Sequence, residues 1–168
     1  MLKNSDELNG MREAGKLAAE VLEMITDYVK PGISTGELDE ICFKYITDVQ
    51  KAIPANVGYR GFEKTLCTSI NQVICHGIPD TNRILKSGDI MNIDVTVIKD
   101  GWHGDTSKMF LIGKAQSHNE RLVRVTQECL YKGIEAARPG ARLGDIGNAI
   151  QIHAEKNYYS VVEEYCCL

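Results

Sequence analysis

The chain has 168 residues, 43% of them apolar and 25% charged, with a formal net charge of −4. That is enough for one domain with a real core. The mild acidity and ordinary composition give no sign of a nucleic-acid or membrane-surface binder, and no apolar run is long enough to span a bilayer.

The first residues, MLKNSDELNG, contain no apolar leader, so the cytoplasm is the expected compartment. Six cysteines, Cys42, Cys67, Cys75, Cys129, Cys166 and Cys167, then read as reduced thiols rather than a disulfide framework. No C-x-x-C pair occurs, which argues against a thiolate zinc site.

Helical spacing of Met11, Ala14, Leu17, Ala18, Val21, Leu22, Ile25 and Tyr28 predicts an amphipathic helix over 5–29, with Ser5 as its cap. Pro31-Gly32 ends it. Ser34-x-x-Glu37 is a capping box and opens a second helix burying Leu38, Ile41, Cys42, Tyr45 and Ile46. From about 53 to 113 the pattern changes to short β-rich runs cut by Gly and Pro. Helices resume at Ser117, with Ser117-x-x-Glu120 as a further capping box. Their apolar stripe is Leu122, Val125, Cys129 and Leu130. Pro139-Gly140 ends this helix, and another follows over about 143–157. Cys42 and Cys129 lie on apolar faces and are expected in the core.

The two helical stretches resemble each other. Lys30-Pro31-Gly32 with Gly36-Glu37-Leu38 matches Arg138-Pro139-Gly140 with Gly144-Asp145-Ile146 at one constant offset. An internal duplication is the expectation: unit one over about 5–113, and a partial unit two over about 117–168.

The segment NIDVTVIKDGWHGDTSKMF, 92–110, alternates apolar and polar residues on both sides of Asp100-Gly101, the strongest short hairpin signal. A two-residue turn pairs Lys99 with Trp102, Asp94 with Ser107 and Thr96 with Asp105. Asp94 and Asp105 then share one face as diagonal neighbours roughly 7–8 Å apart at the backbone. His103 joins that face, while Ile93, Val95 and Val97 take the other. Two carboxylates this close share a proton or hold a cation between them. Hard divalent metals favour such oxygen ligands. The alternative is a solvated polar face on which Asp105 caps the bend after Gly104. His76, at the expected end of a strand in SINQVICHGIPD, is open to a structural or a catalytic reading. His118 and His153, on helices, read as exposed and carry no role.

TLCTSINQVICHGIPD together with GDIMNIDVTVIKDGWHGDTSKMF closely resembles the bacterial type I methionine aminopeptidases. MREAGKLAAEVLEMITDYVKPGISTGELDEIC resembles them too, and the likeness runs from about Met11 to Cys166. The resemblance implies an α+β pita-bread fold, two related halves around a curved sheet. This chain would supply the first half and the opening helices of the second. It implies metal-dependent removal of the initiator methionine from nascent polypeptides, with two divalent ions (Co, Mn, Fe or Zn). Five side chains hold the ions in the family: two Asp, one His and two Glu. Asp94 matches the Asp on one ion, and Asp105 the one bridging both. His76 matches the His that contacts substrate near the scissile amide. Tyr59, Phe62 and Cys67 match positions lining the methionine pocket, and Asn56 falls where a Cys is frequent.

The resemblance breaks at the end. Cys167 and Leu168 stand where the family has Gly and a ligand His, and that His, a second substrate His and both Glu have no counterpart. The expectation is a truncated chain, inactive alone, binding metal weakly and self-associating through an incomplete sheet; that these residues are a fragment of an intact enzyme is a second reading. The ribosome would be a candidate partner. A non-catalytic pita-bread binding module and a proline-directed metallopeptidase are the alternatives.

Overall fold

A computed structural model describes residues 4–162. The chain divides into two compact units, Met1–Ala115 and Gln116–Leu168.

Unit one opens with α1, Ser5–Ile25. Its cap is Asn4 rather than Ser5. Asn4 has extended backbone, its side chain accepts the Glu7 N–H at 2.9 Å, and the Glu7 carboxylate returns to the Asn4 N–H. The helix also stops before 29, at Ile25, leaving Tyr28 exposed in the turn that follows. Ala14, Leu17, Ala18, Val21, Leu22 and Ile25 are buried as the spacing requires, while Met11 stays partly exposed. α2, Thr35–Lys44, begins at the Ser34 cap with the Ser34–Glu37 box the sequence predicts, and a π-helical turn, Tyr45–Val49, follows it. Leu38, Cys42 and Ile46 are buried, and Ile41 and Tyr45 pack against them.

The strands are β1 (Ile53–Pro54), β2 (Leu66–Ile70), β3 (Ile90–Lys99) and β4 (Trp102–Leu111). All pairings are antiparallel. β1 and β2 lie end to end on one side of β3, and β4 lies on the other. Met91, Ile93, Val95 and Val97 of β3, with Leu66 and Ile70 of β2, form the buried face beneath α1 and α2. Gly104 of β4 lets α1 come close: a Cβ there would sit 2.0 Å from the Ala14 carbonyl oxygen. The β-rich reading of 53–113 is too broad in one place. Residues 71–89 contain no strand, and Val73, Ile74 and Ile78 are exposed, so the apolar run before His76 is loop.

The Pro31-Gly32 turn takes up residues 80–85 as an extended clasp. Gly32 N–H donates to the Leu85 carbonyl (2.9 Å), Leu85 N–H to Ile33 (2.8 Å), Thr35 N–H to Arg83 (3.0 Å) and Gly36 N–H to Asp80 (3.1 Å). Asp39 of α2 is buried and accepts the backbone N–H groups of Thr65 (2.8 Å) and Leu66 (2.9 Å), tying the helix to the start of β2.

Unit two is a helical hairpin of α3 (Ser117–Ala136) and α4 (Leu143–Lys156). Its cap is Gln116 and not Ser117: the Gln116 carbonyl already accepts the N–H groups of Asn119 and Glu120, so Ser117 lies within the first turn. Val125, Cys129 and Ala154 form a small core, with Ile150 and Tyr159 against it. Leu122 and Leu130, expected in the buried stripe, are exposed. His153 is not the free surface residue the sequence suggests. Its Nε2 lies 2.8 Å from a Glu128 carboxylate oxygen, and Arg124 holds the other at 2.6 Å. Both pairs pull the Glu128 carboxyl below its usual range, His153 most strongly.

The two Pro-Gly stretches share local backbone features. Gly32 and Gly140 both have positive φ, 98° and 89°. At the following helix start the acid three residues in accepts the backbone N–H before it, Glu37 from Ser34 and Asp145 from Arg142, each at 2.8 Å. Cys42, Cys67, Cys75 and Cys129 are free thiols. Cys166, Cys167 and Leu168 lie outside the described residues. No helix among the described residues is long and apolar enough to cross a membrane.

Candidate metal centre

The hairpin closes as a two-residue turn. Asp100 and Gly101 both have positive φ, 50° and 84°, as the tight turn that matches strand twist requires. Register follows from it: Lys99 pairs with Trp102, Asp94 with Ser107 and Thr96 with Asp105. Directly paired residues share a face and the period is two, so Asp94 and Asp105 stand on one face, opposite the apolar one.

The second strand pairing adds a neighbour that the hairpin alone does not reveal. Cys67 of β2 lies directly across from Asp94, and Ser69 across from Asn92. Cys67 and Ser69 therefore flank Asp94 on the same face. Alternation within Leu66-Cys67-Thr68-Ser69-Ile70 separates these two from Leu66 and Ile70, so their common face was readable; which strand they would meet was not.

Burial raises the Asp94 carboxyl to about 6, reinforced by the Asp105 charge and a hydrogen bond shared with Asp105, and opposed by His76. The Cys67 thiol is pushed to about 11, by burial first and then by Asp94, with Cys75 and Asp105 adding to it. These mutual effects bring Asp94, Asp105, Cys67, Cys75 and His76 into one neighbourhood. Cys75 was not among the expected site residues; its place beside His76 in the chain was the available signal. Tyr59 and Phe62 belong to the turn between β1 and β2. Tyr59 is exposed, with the Arg60 guanidinium 5.5 Å from its ring centre. Asn56, in the same turn, donates to the Thr65 carbonyl at 3.1 Å and is a brace for β2.

A shared proton relieves the repulsion of two such carboxylates, and so does a cation. Two adjacent carboxylates suit a hard divalent ion and do not suit a soft one. Among the described residues no group of three or more His, Cys, Asp or Glu is arranged to hold a metal ion. Asp94 and Asp105 thus fit part of a metal shell, with the other positions left to water or to ligands from elsewhere.

The model of a family described as metallopeptidase family M24 matches residues 9–167. Methionine aminopeptidase of Salmonella typhimurium is 61% identical over 165 residues, 98% of this chain and 62% of that protein. Its counterpart in Escherichia coli strain K12 is 58% identical over the same extent. The crystal structure of methionine aminopeptidase from Rickettsia prowazekii superposes with a TM-score of 0.93 at 54% identity, over 98% of this chain and 66% of that one. Xaa-Pro dipeptidase from Bacillus anthracis superposes at 0.79 with 14% identity, over 93% of this chain and 42% of that one, a likeness of fold alone. The chain spans about 62% of the length of the curated relatives it matches. The α+β architecture is that of the pita-bread proteins, and the family's description as metallopeptidases carries divalent metal use with it. A family match over nearly every residue, joined to the two aspartates on one face of the sheet, makes this chain a member of metallopeptidase family M24.

Proposed function

We propose that this chain carries the metal-facing and substrate-facing strands of an aminopeptidase that removes the initiator methionine from nascent polypeptides. The observation that carries the proposal is the Asp94–Asp105 pair, set on one face by the Asp100-Gly101 turn. Identity of 52–61% to proteins called methionine aminopeptidase supports the choice of methionine over proline-directed chemistry. The cytoplasm, where nascent chains emerge from the ribosome, is the matching compartment.

Asp94 and Asp105 would hold Mn²⁺, Fe²⁺ or Co²⁺ through carboxylate oxygens, ions that such hard donors suit. When bound, a divalent metal supplies Lewis acidity toward a carbonyl and lowers the pKa of water. His76 would donate to or accept from the substrate beside the scissile amide. Cys67, beside Asp94 and held as a neutral thiol, would form an apolar wall for the methionine side chain, with Tyr59 and Phe62 completing the pocket. The 168 residues hold two of the five ligands the resemblance implies, so metal bound here keeps mostly water and is held loosely.

The test is a titration of the full chain with Mn²⁺, read by calorimetry and by electron paramagnetic resonance. Weak saturable binding is expected, lost in both Asp94→Asn and Asp105→Asn. Binding unchanged in both variants would overturn the proposal. On a Met-Ala-Ser peptide with Mn²⁺ or Co²⁺, no turnover by these 168 residues is expected. Turnover that requires Asp105 would show that two carboxylates suffice or that a second chain supplies the rest. A non-catalytic binding module predicts a third pattern: peptide binding that is indifferent to both Asp substitutions.

A further inference from the structure

His76 has a backbone conformation that needs explaining. Its φ is 56°, in the left-handed region, where a non-glycine residue persists only if its surroundings hold it. The holding points are on the next residue. The Gly77 carbonyl accepts the Thr68 N–H at 2.7 Å, and the Gly77 N–H donates to the Ser69 hydroxyl at 3.1 Å. Gly77 lies so close to β2 that a Cβ there would sit 2.1 Å from the Thr68 carbonyl oxygen.

The Ser69 side chain stands on the carboxylate face of the sheet, two residues along β2 from Cys67, which pairs with Asp94. The Gly77 nitrogen within hydrogen-bond reach of that hydroxyl, and its carbonyl on the Thr68 N–H, hold the peptide after His76 along the edge of β2 beside the carboxylate face. Ser69 is 5% exposed, and no solvent-facing role competes for its hydroxyl. The other end of the loop is anchored separately. Asn71 donates to Asp89 at 2.8 Å, and its side-chain oxygen accepts the Ile90 N–H at 3.0 Å. Residues 72–76 are thus strung between two clamps, and His76 adjoins the one made by Ser69.

We propose that Ser69 is a positioning residue for His76: by accepting the Gly77 N–H, its hydroxyl fixes the left-handed backbone of His76 at the edge of the Asp94 face. The inference deepens the proposed function, since the importance of His76 rests on that reading. The geometric claim needs neither metal nor turnover.

The experiment is nuclear magnetic resonance of the full isotope-labelled chain, as wild type, Ser69→Ala and Ser69→Thr. Wild type is expected to show the strong intraresidue HN–Hα cross-peak of a positive-φ residue at His76. Ser69→Ala is expected to lose it, and Ser69→Thr, which keeps a hydroxyl, to restore it. A second readout separates positioning from general support of the fold. Asp94→Asn should shift the His76 ring resonances in wild type and should no longer do so in a Ser69→Ala background. Persistence of both signals in Ser69→Ala would overturn the proposal, as would loss of both in Ser69→Thr. If Ser69→Ala does not fold, hydrogen exchange of the Gly77 amide in wild type decides. Slowing of roughly fivefold or more is expected for one net hydrogen bond, and exchange at the rate of an exposed amide would overturn the clamp. A failed Mn²⁺ titration refutes the metal reading and leaves these signals standing, so the two failures are distinguishable.

Discussion

Removing the Asp39 carboxylate should cost the protein more than any exposed charge could. Both backbone donors it serves are sealed from water: Thr65 is 1% exposed and Leu66 is not exposed at all. In Asp39→Ala, two buried N–H groups lose their acceptor, at about 1–3 kcal/mol each. Against this stands a relief, because burial holds the Asp39 carboxyl above its ordinary range despite the two N–H bonds and the nearby Lys64. The net expectation is a loss of about 2–4 kcal/mol. With a urea slope of about 2 kcal/mol per molar for a chain of this size, the unfolding midpoint should fall by about 1–2 M. Asp39→Asn is the informative partner. Both bonds go to the same side-chain oxygen, which Asn retains, so its cost should be below about 1 kcal/mol. The pH dependence has a definite sign. A carboxyl raised in the folded state binds a proton there before it does in the unfolded chain. Its contribution therefore favours folding below the unfolded value and is lost as pH rises through the folded one. Asp39→Asn should flatten that part of the stability profile. If Asp39→Ala unfolds within about 0.5 kcal/mol of wild type, the ordinary range for a surface change, the account of this brace is wrong.

Gly104→Ala should destabilise by about 3 kcal/mol or more, since overpacking that must displace backbone exceeds the usual side-chain cost; a thermal midpoint equal to wild type would mean α1 can shift freely off β4. Glu128→Gln tests the His153 pair. The Glu128 carboxyl is depressed, so its contribution is present above the ordinary carboxylate range and lost as pH falls through the folded value. The variant should therefore show a flatter acid limb in helix content followed by circular dichroism, and an unchanged limb would refute the pairing. The chain is expected to self-associate. Among the described residues β4 pairs on one side alone, and Leu130, Ile134 and Leu143 are exposed, features that invite association. Sedimentation showing a monomer across micromolar concentrations would refute this.

Local chemistry made much of this readable in advance. Asp100-Gly101 dictated a two-residue turn, and the turn dictated which residues share a face, so the Asp94–Asp105 juxtaposition followed from the sequence. Ser34 and Glu37 announced α2 because the capping box closes within four residues. The same rule misplaced two other starts. Asn4 displaces Ser5 because its own side chain closes a box with Glu7, whereas Gln116 begins α3 through its backbone without a side-chain cap. What the sequence could not supply was long-range. Nothing within β2 says it will lie along β3 with Cys67 against Asp94, and nothing within Val73-Ile74-Cys75 says that an apolar run will remain a loop. His153 reads as free on the surface for the same reason: its partner Glu128 lies on another helix.

The two Pro-Gly turns have a consequence for how this chain tolerates change. They share positive-φ glycines and the same acid-to-backbone cap, yet among the described residues the clasp forms at the first alone. At Gly36 a Cβ would meet the Thr81 nitrogen at 2.7 Å, whereas at Gly144, which holds the matching place in the second turn, nothing among the described residues lies within 4 Å. Two similar motifs are thus under two regimes of constraint. Alanine at the first site meets backbone that cannot yield. At the second it removes only the helix penalty of glycine, a gain of up to about 1 kcal/mol. Where a local motif occurs twice in one chain, packing decides which occurrence is free to change.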